Sequence, residues 1–280
     1  MNLIFYKNKV MKLKTIIVTK FCFIVALTSI SCKLESQNKA IEKSNTAQIE
    51  TAIDFNYSNC MPSSTDNQII KHRFYTLSYA EKYEQAEWVA YELNVQSLTN
   101  KHYERPFFIK DNLVTTESAD WRNYKKSGFD KGHLCPAGDM KFSVDAFEDT
   151  FYTSNISPQT HDFNSGIWNT LEEKVRYWAK KYDGIFVITG PVLTSGLETI
   201  GRENVAVPNY FYKILINKTN SETKVIAFLV PSVDSQKPLY TFVVSVDEIE
   251  KVTGIDFFST LPDAFENEIE KNSSYKNWSF

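Results

Sequence analysis

The chain has four cysteines, none in a Cys-x-x-Cys pair, and it lacks a His-Glu-x-x-His motif. Those absences argue against a zinc centre, whose ligands recur at such spacings. An apolar run of the roughly 20 residues that a membrane-spanning helix needs is also missing. The clearest apolar stretch, Phe21 to Ile30, is short and is interrupted upstream by Lys20. No internal repeat is visible, and 280 residues of ordinary globular composition point to one large domain without a second. Basic excess is absent as well, the formal net charge being −3. General nucleic-acid binders rest on clustered Lys and Arg and on counterion release, so this balance counts against one.

What is present begins with the N-terminus. Lys7, Lys9, Lys12 and Lys14 precede the apolar stretch, the arrangement of a secretory signal peptide over residues 1–31, with Met11 an alternative start. Ser29-Ile30-Ser31-Cys32 resembles a bacterial lipoprotein cleavage site with Cys32 lipidated, although Ser29 stands where that pattern has leucine. The expectation is an exported protein tethered through Cys32 in the periplasm or at the outer membrane or cell surface, or alternatively a secreted one. Residues 32–53 are polar and read as a flexible linker, which leaves residues 54–280 as the folded domain. Residues 1–31 carry five lysines and no acid, so their removal leaves 26 basic residues against 34 acidic ones. Cys60 and Cys135 then remain, and in an exported protein a disulfide between them is the expectation. A catalytic thiol at Cys135 is disfavoured, because the only base nearby is the histidine two residues before it.

That histidine belongs to the most informative stretch of the chain, Asp130-Lys131-Gly132-His133-Leu134-Cys135-Pro136-Ala137-Gly138-Asp139. An imidazole titrates near neutral pH, so His133 is a candidate general base if its surroundings aim it outward. Downstream lie Thr153-Ser154-Asn155-Ile156-Ser157-Pro158-Gln159, then Asp162-Phe163-Asn164-Ser165-Gly166-Ile167-Trp168, then Leu171-Glu172-Glu173. Amides and carboxylates there supply the oxygen ligands that hard divalent cations take. Capping and turn formation are the ordinary uses of Asn155 and Asn164 taken singly.

Together these blocks resemble the DNA/RNA non-specific endonucleases with a ββα-metal site, whose signature reads Asp-Arg-Gly-His, Ser-Asn-x-[Ser/Thr]-Pro-Gln and Asn-x-Gly-x-Trp-x-x-Leu-Glu. Asp130 to His133, Ser154 to Gln159 and Asn164 to Glu172 match in order, and the resemblance extends from about Tyr75 to Leu261. The one departure is Lys131 in the arginine position, which keeps the charge and loses the bidentate fork. The resemblance implies hydrolysis of DNA and RNA phosphodiester bonds to 5′-phosphate ends, with His133 as base and one Mg²⁺, or Mn²⁺, on Asn164. Glu172 acts through water on the metal, and Arg105 and Lys131 neutralise phosphate. Asp130 orients the turn or the imidazole and counts among the substrate-binding candidates, and Asn155 and Gln159 brace the site or touch substrate rather than bind metal. Lys125, Lys126, Lys141 and Arg122 are further candidates for a local positive groove. Two other readings stay open: a phosphodiesterase acting on small nucleotides, and an exported binding lipoprotein without catalysis.

Periodicity predicts an α+β fold, a central antiparallel sheet with helices packed on it, and the resemblance implies a ββα-metal motif at the site. His72 to Val95 reads as two strands around a polar interruption at Glu81 to Gln85. Trp168, Leu171, Val175, Trp178 and Tyr182 recur at helical spacing. Ile185 to Pro191, Val205 to Ile216 and Lys224 to Val230 read as strands, and Val246 to Val252 as a short helix before Gly254. Asn164 and Glu172, eight residues apart, would stand roughly 12 Å apart on one straight helix. The expectation is therefore that Asn164 sits at or before the helix start.

Overall fold

A computed structural model describes residues 57–280 except 67 and 219–222. The expected signal peptide, linker and Cys32 tether lie outside the described residues. Phe55–Phe280 form one compact unit. In chain order it contains β1 (Ile69–Lys71), β2 (Thr76–Ala80), β3 (Gln85–Leu93), β4 (Asp130–His133), α1 (Val144–Asp149) and β5 (Ile156–Gln159). Then come α2 (His161–Phe163), α3 (Asn169–Lys181), β6 (Ile185–Pro191), β7 (Thr199–Ile200) and β8 (Val205–Ala206). The unit closes with β9 (Tyr210–Lys218), β10 (Thr223–Pro231), β11 (Val243–Val244), α4 (Val246–Thr253) and α5 (Asp263–Glu270).

Seven strands pair in the order β1-β2-β3-β6-β9-β10-β11, each pair antiparallel. The central strands β6 and β9 are buried along nearly their whole length, which is why they read as continuous apolar runs rather than alternating ones. Both faces are covered. Phe211 and Leu215 join the core that holds Leu171, Val175 and Trp178 of α3. Tyr212 points to the other face and meets Phe257 edge-on at 5.6 Å. Side-chain alternation along β9 therefore sends Lys213 to the α3 face, where its ammonium lies 4.7 Å from the Trp168 ring centroid.

The sequence-read strand Val205 to Ile216 splits in two. Val205–Ala206 pairs with β7, and β9 starts only at Tyr210, because Pro208 has no N–H to give a ladder. The expected disulfide is not formed either. Cys135 is buried in the core beneath α3. Cys60 closes a turn whose Tyr57 stacks on Phe186 at 5.0 Å, and Phe186 alternates with the α3-facing Val187, so the two thiols belong to opposite faces of the sheet. Burial pushes the Cys60 thiol up to about 12 and the Cys135 thiol upward as well.

Candidate active site

The site is built on the β4–β5 pair, in register Asp130 with Gln159, Gly132 with Ser157 and His133 with Ile156. Gly132 is required by this pairing, since a Cβ there would lie 2.2 Å from the Gln159 side chain. Gln159 itself is wholly buried. Asn155 is buried too: its Oδ1 accepts from the Cys135 N–H at 2.9 Å, and its Nδ2 donates to the carbonyls of Cys135 and Thr150, both at 3.0 Å. These bonds clamp the chain immediately after His133. Of the two expected uses, bracing the site or touching substrate, the bonds of Asn155 suit the first, whereas both amide atoms of Gln159 are buried without a hydrogen-bond partner. Beside them, Ser154 donates to Asp111 Oδ2 at 2.6 Å, and the same oxygen meets His72 Nε2 at 2.8 Å, tying β1 to this block.

After β5 the chain makes the short helix α2, capped by the Thr160 hydroxyl, and then a widened turn, Asn164–Trp168. Gly166 breaks that turn with φ −96° and ψ −112°, so α3 starts afresh at Asn169. A helix at its standard rise would separate Asn164 and Glu172 along its axis; the kink instead brings both to the wall of one cleft of roughly 570 Å³, with Arg105 and His133. Lys141, His102 and Arg176 border the same cleft.

His133 sits in an aromatic cage, 5.4 Å from the Phe108 ring and edge-on to Phe151 at 5.1 Å. Its Nε2 is buried without a hydrogen-bond partner. Burial first, and the Arg105 guanidinium second, push its pKa down to about 3, so the imidazole is neutral near pH 7. Arg105 packs over the Phe151 ring at 5.5 Å. Lys131 is not on the cleft wall: its ammonium lies over Phe108 at 5.6 Å and Tyr124 at 6.0 Å. Asp130 does not hold the His133 imidazole. Its Oδ2 accepts from Asn164 Nδ2 at 3.0 Å and from His161 Nδ1 at 2.9 Å, so it turns the Asn164 carboxamide and leaves Oδ1 as the unengaged end.

Beneath Glu172 lies a charged layer that the sequence reading missed. Arg176 donates to Asp139 Oδ1 at 2.9 Å, Tyr91 donates to Asp139 Oδ2 at 2.8 Å, and Lys213 donates to Thr189 at 3.1 Å. Burial raises the Glu172 carboxyl, while the Lys213 ammonium is the largest opposing influence; Lys213 is lowered by its own burial and supported by Glu172 and Asp139. Asp139 closes the ten-residue stretch around His133, so its place was visible, but a lysine inside an apolar strand gave no signal of a partner four elements away.

A family model for DNA/RNA non-specific endonucleases matches residues 54–264. The chain is 34% identical to the mitochondrial nuclease EXOG of Danio rerio over 68% of this chain and 61% of that protein. It is 32% identical to the human mitochondrial endonuclease G over 68% and 69%, and 34% identical to nuclease C1 of Cunninghamella echinulata var. echinulata over 70% and 85%. It thus spans about three fifths of the first of these relatives. A crystal structure of an EndoG/EndoGI complex superposes with a TM-score of 0.64 at 29% identity, over 70% of this chain and 87% of that one. The fold, the order of the motif blocks and these similarities together show that the chain belongs to the DNA/RNA non-specific endonuclease family.

Proposed function

We propose that the protein is a metal-dependent endonuclease that hydrolyses DNA and RNA phosphodiester bonds with little sequence preference and leaves 5′-phosphate ends. The observation that carries this reading is the convergence of a neutral imidazole, two oxygen donors and a guanidinium on one cleft. The donors suit Mg²⁺ or Mn²⁺, which take oxygen and keep several waters: Asn164 presents Oδ1 once Asp130 engages its Nδ2, and the Glu172 carboxylate borders the same space. Asn164 would hold the ion directly and Glu172 through water. Such an ion, when bound, offsets charge on the phosphate and on the departing 3′ oxygen.

The chain's own groups do the rest. With Nε2 buried, His133 uses Nδ1 to take a proton from the attacking water, and burial keeps the imidazole unprotonated beforehand. Arg105 pairs with a non-bridging phosphate oxygen, and the aromatic wall of Phe108 and Phe151 limits the orientations open to the imidazole. Lys131 adds positive charge where β4 leaves the cleft. Because phosphate and sugar are what this arrangement can read, both nucleic acids fit.

Incubating the purified protein with plasmid and with RNA, with Mg²⁺ or EDTA, tests the reading. Cleavage of both polymers, abolished by EDTA and by His133→Ala, is expected; a His133→Ala variant that cuts at the wild-type rate overturns the assignment of the base. Faster hydrolysis of dinucleotides than of polymer would move the substrate class to small nucleotides. Export with lipidation at Cys32 belongs to the same proposal, supported by the lysine-flanked apolar stretch; the mass of the mature N-terminus tests it.

A further inference from the structure

Outside the cleft, three carboxylates meet where the two C-terminal helices touch. Asp247 and Glu250 stand one turn apart on α4, and Glu270 ends α5; one oxygen from each lies within 4.8 Å of the others. Glu250 and Glu270 share a side-chain hydrogen bond, but no base among the described residues balances the negative charge. Asp256 and Glu266 add further acid around Glu270, and among the described residues no Lys or Arg forms an ion pair with Asp247, Glu250 or Glu270.

An acidic cluster at a surface means little by itself. Here a second observation points to a ligand: Glu270 is only 7% exposed, and its Oε1 is buried with no hydrogen-bond partner. A buried carboxylate oxygen without a donor is costly unless something positive meets it. Glu250 is also held in place, one of its oxygens accepting from the Phe257 N–H at 2.8 Å. Oxygen atoms this close can share one ion at the 2.3–2.6 Å bond lengths of Ca²⁺, which tolerates irregular sets of carboxylates and completes its shell with water, whereas Mg²⁺ demands near-octahedral geometry at shorter bonds.

We infer that Asp247, Glu250 and Glu270 form a second cation site, separate from the cleft, that takes Ca²⁺ and fastens α5 to α4. None of the three lines the cleft, so the ion acts on stability and leaves the cleavage chemistry to the first site.

The test is thermal unfolding of the EDTA-stripped full-length protein titrated with CaCl₂, in the wild type and in Asn164→Ala, which disables the cleft's own ligand. A saturable rise in Tm of about 5 °C at Ca²⁺ concentrations far above Kd is expected in both, with a smaller rise in MgCl₂. Glu270→Gln and Asp247→Asn should fold without Ca²⁺, because each removes repulsion, and should lose the rise while cutting plasmid in Mg²⁺ at the wild-type rate. Absence of any Ca²⁺-dependent rise in Asn164→Ala overturns the site, and so does a rise that survives undiminished in Glu270→Gln. Equilibrium dialysis against radioactive Ca²⁺ gives the count directly: one ion bound to Asn164→Ala, none to the Asn164→Ala/Glu270→Gln double variant.

Discussion

Two regions of this molecule bury carboxylates, and they balance the charge in opposite ways. Under the cleft, Glu172 and Asp139 face Lys213 and Arg176; at the C-terminal helices, Asp247, Glu250 and Glu270 face one another without a base. Removing an ion from water costs far more than a surface pair returns, so each buried acid must meet a cation or keep its proton. On the proposed function the cleft receives an anionic substrate, and countercharges fixed below would let Glu172 stay at the cleft wall without repelling phosphate as strongly as a bare pair of acids would.

The largest expected effect separates the regions outright. His133→Ala should lower kcat/KM on plasmid by about 10²–10⁴-fold, the usual worth of a positioned base, with the fold intact by circular dichroism; Glu270→Gln should leave kcat/KM in Mg²⁺ unchanged. If both variants lost activity alike, the two regions would not be independent.

Next in size is the cleft's buried countercharge. Lys213→Met strips the ammonium from beneath Glu172 and Asp139, and breaking a buried network in this way typically costs about 3–5 kcal/mol, read as a lower urea midpoint with unchanged m-value. The double variant Lys213→Met/Glu172→Gln should recover part of that loss, since the uncompensated acid is then gone. No recovery would mean that Lys213 contributes through packing on Trp168 rather than through charge.

The contrast between the regions also explains what the sequence let one read. The cleft's reactive side chains sit in short local motifs: Asp130 to His133 is one strand, and Asn164 to Glu172 spans one kink, so the blocks that carry the chemistry are visible as runs. The sheet was equally legible, since Ile185 to Pro191 and Lys224 to Val230 are continuous apolar segments, and the helix from Asn169 shows its apolar face at Leu171, Val175 and Trp178. What escaped is what depends on distant pairing. Lys213 pairs in register with Thr189 and reaches the Glu172 layer only because alternation along β9 sends it that way. Whether Asn155 braces the site or touches substrate was open in the sequence, because an amide's partners are set by which backbone groups come near, and here those are Cys135 and Thr150. Helix α5 was missed altogether, its two apolar anchors, Phe265 and Ile269, being too few to show a period.

A smaller effect is expected at Asp130. Its carboxylate turns Asn164 and also holds His161, and groups that orient a metal ligand are commonly worth about 10–100-fold in metal affinity. Asp130→Ala should raise the Mg²⁺ concentration for half-maximal cleavage by that factor while largely restoring the rate at saturating Mg²⁺. A variant that loses rate with no change in the Mg²⁺ titration would place Asp130 on the substrate instead.

The smallest effect belongs to the unbalanced trio. Burial, with the neighbouring Glu250, Glu266, Asp247 and Asp256, raises the Glu270 carboxyl to about 8, above the roughly 4.3 of an unfolded glutamate. The native state therefore holds a proton that the unfolded state has lost, and between those two values stability falls as pH rises. In EDTA, the wild-type Tm should drop between pH 5 and pH 8.5 by more than that of Glu270→Gln, which has no proton to lose, and the two curves should converge toward pH 4. Saturating Ca²⁺ should flatten the wild-type curve at its alkaline end, because the ion then meets the charge that the proton leaves behind. Parallel curves for wild type and Glu270→Gln would show that the acids at α4 and α5 are solvated like any surface carboxylates, and the difference between the two regions would vanish.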